Sequence, residues 1–128
     1  MKLRLIAASC AAFWMVGPAA AAPVFNELIP NIPGKSLIAN EVNYAPGQAS
    51  PPHTHAKSAF IFAYVLSGAI ESKVNDAETR IYHAGESWFE PPGAIHSISR
   101  NASKTEPAKL LAVFVVDTDD KQTMTPIK

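Results

Sequence analysis

A regular alternation of short apolar runs and turn-forming clusters constrains the fold of this chain more than any other feature. From residue 35 to about residue 116 the runs are rich in Val, Ile, Phe and Tyr, and clusters of Gly, Pro, Asn and Asp separate them. No stretch of this region keeps a helical period, so the pattern predicts an all-β domain built as a sandwich or a barrel. The predicted strands are 36–44, 59–66, 69–74, 79–83, 87–90, 95–100 and 108–116.

Length and charge bound the class of protein. A chain of 128 residues fits one domain. Eleven Lys and Arg balance eleven Asp and Glu, and no basic cluster stands out. Because nucleic-acid binders carry a basic patch or stripe, we expect no nucleic-acid partner.

The first 21 residues have the parts of a secretory signal peptide. Lys2 and Arg4 precede an apolar run of about a dozen residues, and small residues follow it at 17–22. The run is shorter than the roughly 20 residues that span a bilayer, which disfavours a transmembrane anchor. No branched apolar residue lies just before Cys10, which disfavours lipidation. We expect cleavage after Ala21, a periplasmic or secreted mature protein, and no membrane association after cleavage.

The mature chain divides into an arm, a domain and a tail. Because Cys10 is the only cysteine, the mature chain depends on an apolar core rather than on disulfides. Residues 22–34 carry three prolines and are predicted as an extended arm without regular structure. The domain covers 35–117, and the polar residues 118–128 are predicted as a mobile or loosely docked end.

Two of the four histidines lie two positions apart. His53 and His55 flank Thr54, and this spacing sends both side chains to one face of a strand. Such a pair is weak evidence for a metal site by itself, because exposed histidines also occur at this spacing by chance.

The surrounding residues resemble the first motif of the cupin superfamily. In that motif a Gly is followed after five residues by His-x-His, then by an acid, and after six more residues by another Gly. Gly47, His53, His55 and Gly68 match this pattern.

A second stretch resembles the second cupin motif, which reads Gly, five residues, Pro-x-Gly, two residues, His. Gly85, Pro91, Gly93 and His96 match it. The two motifs occur in order, and the resemblance covers residues 36–116. Two separated motifs are far more specific than either one alone.

Membership of this superfamily implies a single jelly-roll β-barrel in which His53, His55 and His96 bind one divalent metal ion. Imidazole suits several transition metals, so the identity of the ion stays open among Fe, Mn, Ni, Cu and Zn. The resemblance also implies a homodimer that pairs through strands and the N-terminal arm.

The chain departs from the superfamily at the acidic position of the first motif. Counting back seven residues from Gly68 places the usual glutamate at Ile61, and residues 56–67 contain no acid. The asparagine that often follows the second motif is displaced by one residue, to Asn101. A neutral three-histidine set leaves a divalent ion its full charge and several open coordination positions.

Three other polar residues lie close to the motifs. Glu90 would reach the metal if the strand register turned it inward, but a solvated carboxylate at a turn is the expected state. His83 is expected to be a surface histidine at a strand end. Tyr64 is the candidate catalytic residue, because a tyrosine hydroxyl near a metal orients a substrate or stabilises an anion.

Two functions from different classes fit these residues. The first is a metal-dependent oxygenase that acts on a small organic molecule and resembles the three-histidine cupin dioxygenases. The second is a non-catalytic exported module that captures a small molecule or a metal in the same barrel. A sugar-phosphate isomerase or epimerase ranks lower, because the motifs offer few cationic side chains to hold a phosphate.

Overall fold

A computed structural model describes residues 17–128 as two five-stranded antiparallel sheets, without a helix in that range. Accordingly, this range contains no helix long and apolar enough to cross a membrane. The strands are β1 Ala20–Leu28, β2 Lys35–Tyr44, β3 His53–His55, β4 Phe60–Ser67, β5 Ala69–Val74, β6 Arg80–His83, β7 Ser87–Glu90, β8 Ile95–Asn101, β9 Ala108–Asp117 and β10 Met124–Pro126.

The first sheet has the order β1-β2-β9-β4-β7, and the second has the order β10-β3-β8-β5-β6. All seven predicted strands are confirmed, each end within one residue of the prediction. Period-two alternation explains why they could be found. In β9, for example, every second residue from Ala108 to Val116 is buried between the sheets.

The prediction that the arm lacks regular structure is wrong. β1 pairs with β2 along its whole length, with a shift in register between Pro23 and Phe25. Proline is tolerated there because β1 is an edge strand and the ladder is interrupted next to Pro23. Pro30 and Pro33 fall in the turn between β1 and β2.

The prediction of a loosely docked tail is also wrong. Met124, Thr125 and Pro126 pair with His55, Thr54 and His53 as strand β10. Two further backbone hydrogen bonds, from Ala56 to Thr123 and from Ile127 to Pro52, flank this ladder. A three-residue strand rich in Thr and Pro has no hydrophobic periodicity, so the sequence pattern could not reveal it.

Most of the predicted signal peptide lies outside the described residues. Of its last five residues, Ala20 and Ala21 pair with Asn43 and Val42 at the start of β1. The expected cleavage after Ala21 therefore falls inside the first strand.

Buried side chains form two apolar clusters between the sheets. One is centred on Val65, Ile70 and Trp88. The other is centred on Ile61 and Phe114.

Two glycines with the same backbone conformation provide a test of this packing. Gly47 and Gly68 have φ values of 72° and 71°. A Cβ at Gly68 would lie 2.5 Å from the carbonyl oxygen of Pro107 and 2.8 Å from Cβ of Ala108, whereas a Cβ at Gly47 would meet nothing within 4 Å. We expect Gly47→Ala to lower the free energy of unfolding by about 1 kcal/mol through backbone strain alone. Gly68→Ala should lower it by at least about 2 kcal/mol more, because backbone atoms must move.

Urea denaturation of the two variants measures this difference. Equal losses of stability would contradict the close approach of β4 to the start of β9.

Candidate metal centre

Three buried histidines meet on the inner face of the second sheet. His53 and His55 lie at the two ends of β3, and His96 on β8 is the cross-strand partner of His53. Each is at most 9% exposed. One nitrogen from each ring lies within 4.8 Å of the others, so the structure brings together all three predicted ligands.

Backbone carbonyls fix the protonation of the first two rings. Nδ1 of His53 donates to the carbonyl of Pro51 at 2.7 Å, and Nδ1 of His55 donates to the carbonyl of Thr123 at 3.3 Å. A neutral imidazole has one N–H, so both Nε2 atoms carry lone pairs. These two Nε2 atoms lie 3.2 Å apart, at hydrogen-bond distance, and in the tautomers that the two carbonyls favour both present lone pairs to the same space.

The third ring is held by a serine that the sequence did not single out. Nε2 of His96 lies 2.8 Å from the hydroxyl of buried Ser72 on β5. When that hydroxyl accepts the Nε2 proton, the lone pair on Nδ1 faces Glu90, whose Oε1 is 3.3 Å away.

The expectation that Glu90 is solvated is wrong. The residue is 2% exposed, and its Oε2 lies 2.9 Å from Nε2 of His55. Its other oxygen accepts a hydrogen bond from the indole of Trp88 at 3.1 Å. Strand β7 alternates exposed and buried residues, so the inward position of Trp88 requires Glu90 to face inward as well. The large apolar Trp88 was the sequence signal for this orientation.

The donor atoms fit a metal ion. Ligands about 2.1 Å from one ion are separated by roughly 3.0–3.4 Å. The separation of 3.2 Å between the Nε2 atoms lies within that range, and the separation of 2.9 Å between His55 and Glu90 is close to it. The contact between His55 and Glu90 does not have hydrogen-bond geometry, and within residues 17–128 Oε2 of Glu90 has no hydrogen-bond partner. A shared cation would satisfy all of these lone pairs.

The electrostatics of the centre favour the same occupant. Burial lowers the pKa of His53 and lowers the pKa of His96 to about 4, so both rings are neutral at neutral pH. Burial alone would raise the pKa of the Glu90 carboxyl, but its neighbours, among them the Trp88 indole N–H that donates to Oε1, outweigh burial and lower the pKa. Neutral imidazoles beside an ionised carboxylate are the state that metal binding requires.

A cavity of about 420 Å³ opens beside these groups. Its walls are largely apolar, with Val42, Ile61, Leu110 and Phe114 among them. None of the described lysines or arginines lines it. The cavity is therefore large enough for a small organic molecule. Because no described lysine or arginine lines it, a bound metal would be the source of positive charge in the cavity.

The sequence profile of the family described as "Cupin domain" matches residues 40–114, more than half of the chain. The chain belongs to the cupin family. The two facing antiparallel sheets form the jelly-roll barrel that the resemblance implied.

Several relatives of this cupin are known. Germin-like protein subfamily 2 member 2 of Arabidopsis thaliana is 34% identical over 92 residues, which cover 69% of this chain and 41% of the relative. The crystal structure of TT1209 from Thermus thermophilus has 29% identity and a TM-score of 0.62, covering 77% of this chain and 84% of that one. Oxalate oxidase in complex with the substrate analogue glycolate has 25% identity and a TM-score of 0.59, covering 77% and 51%.

Tyr64, the predicted catalytic residue, is not among the described residues that line the cavity beside the histidines. Tyr64 lies on the outer face of β4, where its ring stacks against Phe62. The flanking Ala63 and Val65 are the residues of this strand that face inward. Tyrosine does reach the cavity of this cupin, but from β2: the hydroxyl of Tyr44 bonds to Ser50 at 2.9 Å and to Ser99 at 2.8 Å.

Two polar residues that the sequence analysis named, His83 and Asn101, are not among the three predicted histidine ligands. The His83 side chain is 71% exposed and contacts Glu86, so it lies on the surface as expected. The displaced Asn101 is buried, and its side-chain amide donates to the carbonyls of Tyr44, Ala45 and Glu106. Asn101 therefore ties together the loops at one end of the barrel.

Metal content tests the histidine set, with His83 as a matched control. We expect the purified cupin to hold about one equivalent of a divalent metal. His53→Ala combined with His96→Ala should abolish the binding, because it removes two of three imidazoles, whereas His83→Ala should leave it unchanged. Elemental analysis of the three proteins measures this. Equal metal content in the double variant and the wild type would contradict the assignment.

Proposed function

We propose that this cupin is a metal-dependent oxygenase of the dioxygenase type that acts on a small organic molecule. The observation that carries the proposal is the convergence of His53, His55 and His96 on the wall of a largely apolar cavity. A bound divalent metal supplies Lewis-acid and redox chemistry at such a site.

The residues of the chain define what the substrate meets. The three imidazoles are the proposed ligands, and the carbonyls of Pro51 and Thr123 hold two of them in the tautomer that a metal needs. The apolar wall excludes water from one side of the substrate. Because no described cation lines the cavity, a bound acid has no ion-pair partner in residues 17–128.

A small carboxylic acid is the proposed substrate class. Support comes from the structural likeness to oxalate oxidase, whose structure holds the substrate analogue glycolate. The chain spans about two fifths of the first germin-like relative, so the activity of a whole relative is not transferred to it directly.

One observation favours a second candidate, a non-catalytic binding module. Apart from the proposed ligands and Glu90, the only titratable side chain among the described residues lining the cavity is that of Tyr44. Its hydroxyl is engaged by two serines, and burial raises its pKa. The cavity thus offers little general acid or base for a reaction that needs one.

Oxygen uptake distinguishes the two candidates. We expect protein loaded with Fe²⁺ or Mn²⁺ to consume oxygen in the presence of oxalate or another small carboxylic acid, and His83→Ala to do the same. The combined His53→Ala and His96→Ala variant should be inactive. Acid binding to the loaded wild type without oxygen uptake, measured by calorimetry, would reject the oxygenase and favour the binding module.

We also propose export with loss of residues 1–21. Pro18, Ala19 and Ala21 line the cavity, so cleavage would remove them from its wall and widen access to the histidines. The intact mass of protein recovered from the periplasm or the medium tests this cleavage.

A homodimer is a further proposal, with a second copy covering the outer face of the first sheet. Phe60 and Phe89 stack there with ring centroids 5.8 Å apart, and Phe62 lies beside them. All three are at least 42% exposed, and Val113 and Val115 extend the apolar surface on β9. Apolar faces of this kind mark interaction sites, and a closed two-fold pair covers such a face on both subunits.

Light scattering after size exclusion tests the dimer. We expect a dimer for the wild type, a monomer for Phe62→Asp, and a dimer for the control Ile81→Asp, which changes an equally exposed residue on the other sheet. A monomeric wild type would contradict the proposal.

A further inference from the structure

One carboxylate oxygen of Glu90 has no hydrogen-bond donor among the described residues. Oε1 accepts from the Trp88 indole, but Oε2 has no hydrogen-bond partner among residues 17–128. The side chain is 3% exposed, so water does not readily solvate this oxygen. A buried carboxylate in this state is costly unless a cation neutralises it.

The geometry around Oε2 indicates where that cation would lie. Nε2 of His55 is 2.9 Å away, and this nitrogen carries a lone pair because Nδ1 uses the ring proton. Nε2 of His53, also a lone-pair atom, lies 3.2 Å from Nε2 of His55. In these tautomers three acceptor atoms face one another.

We propose that Glu90 is the fourth protein ligand of the metal centre. The carboxylate comes from β7 and not from β4, the strand on which the first motif would place it. This inference rests on the proposed metal binding by the three histidines, and it adds a negative charge to the ligand set. The centre is then three imidazoles and one carboxylate in place of a neutral three-histidine site.

Strand register explains how a carboxylate on β7 can take the place of one on β4. Ile61 on β4 and Glu90 on β7 are direct cross-strand partners, and both are buried and line the cavity. Side chains opposite each other in an antiparallel pair lie about 5 Å apart and point to the same side of the sheet. Positions 61 and 90 therefore deliver a side chain to the same part of the barrel.

The hydrogen bond from Trp88 orients the Glu90 carboxylate. The indole N–H holds Oε1, and Nδ1 of His96 lies beside the same oxygen at 3.3 Å. Only Oε2 is left to point toward His53 and His55. Trp88 is in this reading a positioning residue for the carboxylate.

Three variants test this ligand: Glu90→Gln, Glu90→Gln combined with Ile61→Glu, and Glu78→Gln as a control at a residue outside the cavity lining. Calorimetric titration with Mn²⁺ and with Zn²⁺ gives the affinities. We expect Glu90→Gln to bind each metal at least about 10-fold more weakly than the wild type. Glu78→Gln should bind like the wild type, and Ile61→Glu should restore much of the affinity lost in Glu90→Gln.

Thermal unfolding with and without metal separates a ligand from a structural partner. A metal ligand acts on stability through the bound ion, so Mn²⁺ should raise the melting temperature of the wild type more than that of Glu90→Gln, whatever the two metal-free values are. A smaller metal-induced rise in Glu90→Gln supports the proposal. An equal metal-induced rise in the two proteins would overturn it, since Glu90 would then act on the fold alone.

The affinities also separate this inference from the one on which it rests. Equal affinity of the wild type and Glu90→Gln, with binding lost in the double histidine variant, would overturn the role of Glu90 and leave the three-histidine site intact. Absence of binding in the wild type would overturn both. A folded double variant in which Ile61→Glu restores nothing would overturn the equivalence of positions 61 and 90.

Discussion

Two imidazole Nε2 atoms held 3.2 Å apart are the constraint on which the rest of the site depends. When both Nδ1 atoms donate to the carbonyls of Pro51 and Thr123, the two neutral rings direct lone pairs at each other and do not attract each other. The fold must therefore keep the two rings close together although no attraction between them favours that distance. A divalent cation would turn that arrangement from a cost into a gain, which supports the proposed metal centre.

The C-terminal segment supplies much of the restraint on these two rings. β3 has only three residues, and it is held between β8 on one side and β10 on the other. The C-terminal segment both pairs with β3 and provides the carbonyl of Thr123 that orients His55. The tail thus helps to hold the histidines of the proposed metal centre, because without it one edge of β3 and one ring nitrogen would lose their partners.

The sequence predicts the barrel and the histidines for clear physical reasons. Long strands such as β9 bury every second side chain, and that alternation is visible in the residues. The histidines are recognisable because two spaced motifs fix their positions. β1 and β10 escaped prediction because edge strands depend on backbone pairing with a distant partner, and β1 is exposed at all nine residues. Glu90 escaped because its burial depends on the register of β7 against β4, although the inward-facing Trp88 two residues earlier indicates it.

Anomalous diffraction from crystals of the metal-loaded protein tests the central claim most directly. The account predicts one peak per subunit, about 2.0–2.3 Å from Nε2 of His53, Nε2 of His55, a nitrogen of His96 and Oε2 of Glu90. A peak bonded to the histidines but not to Glu90 would contradict the four-ligand centre. A map without a peak between the imidazoles would contradict the metal centre itself.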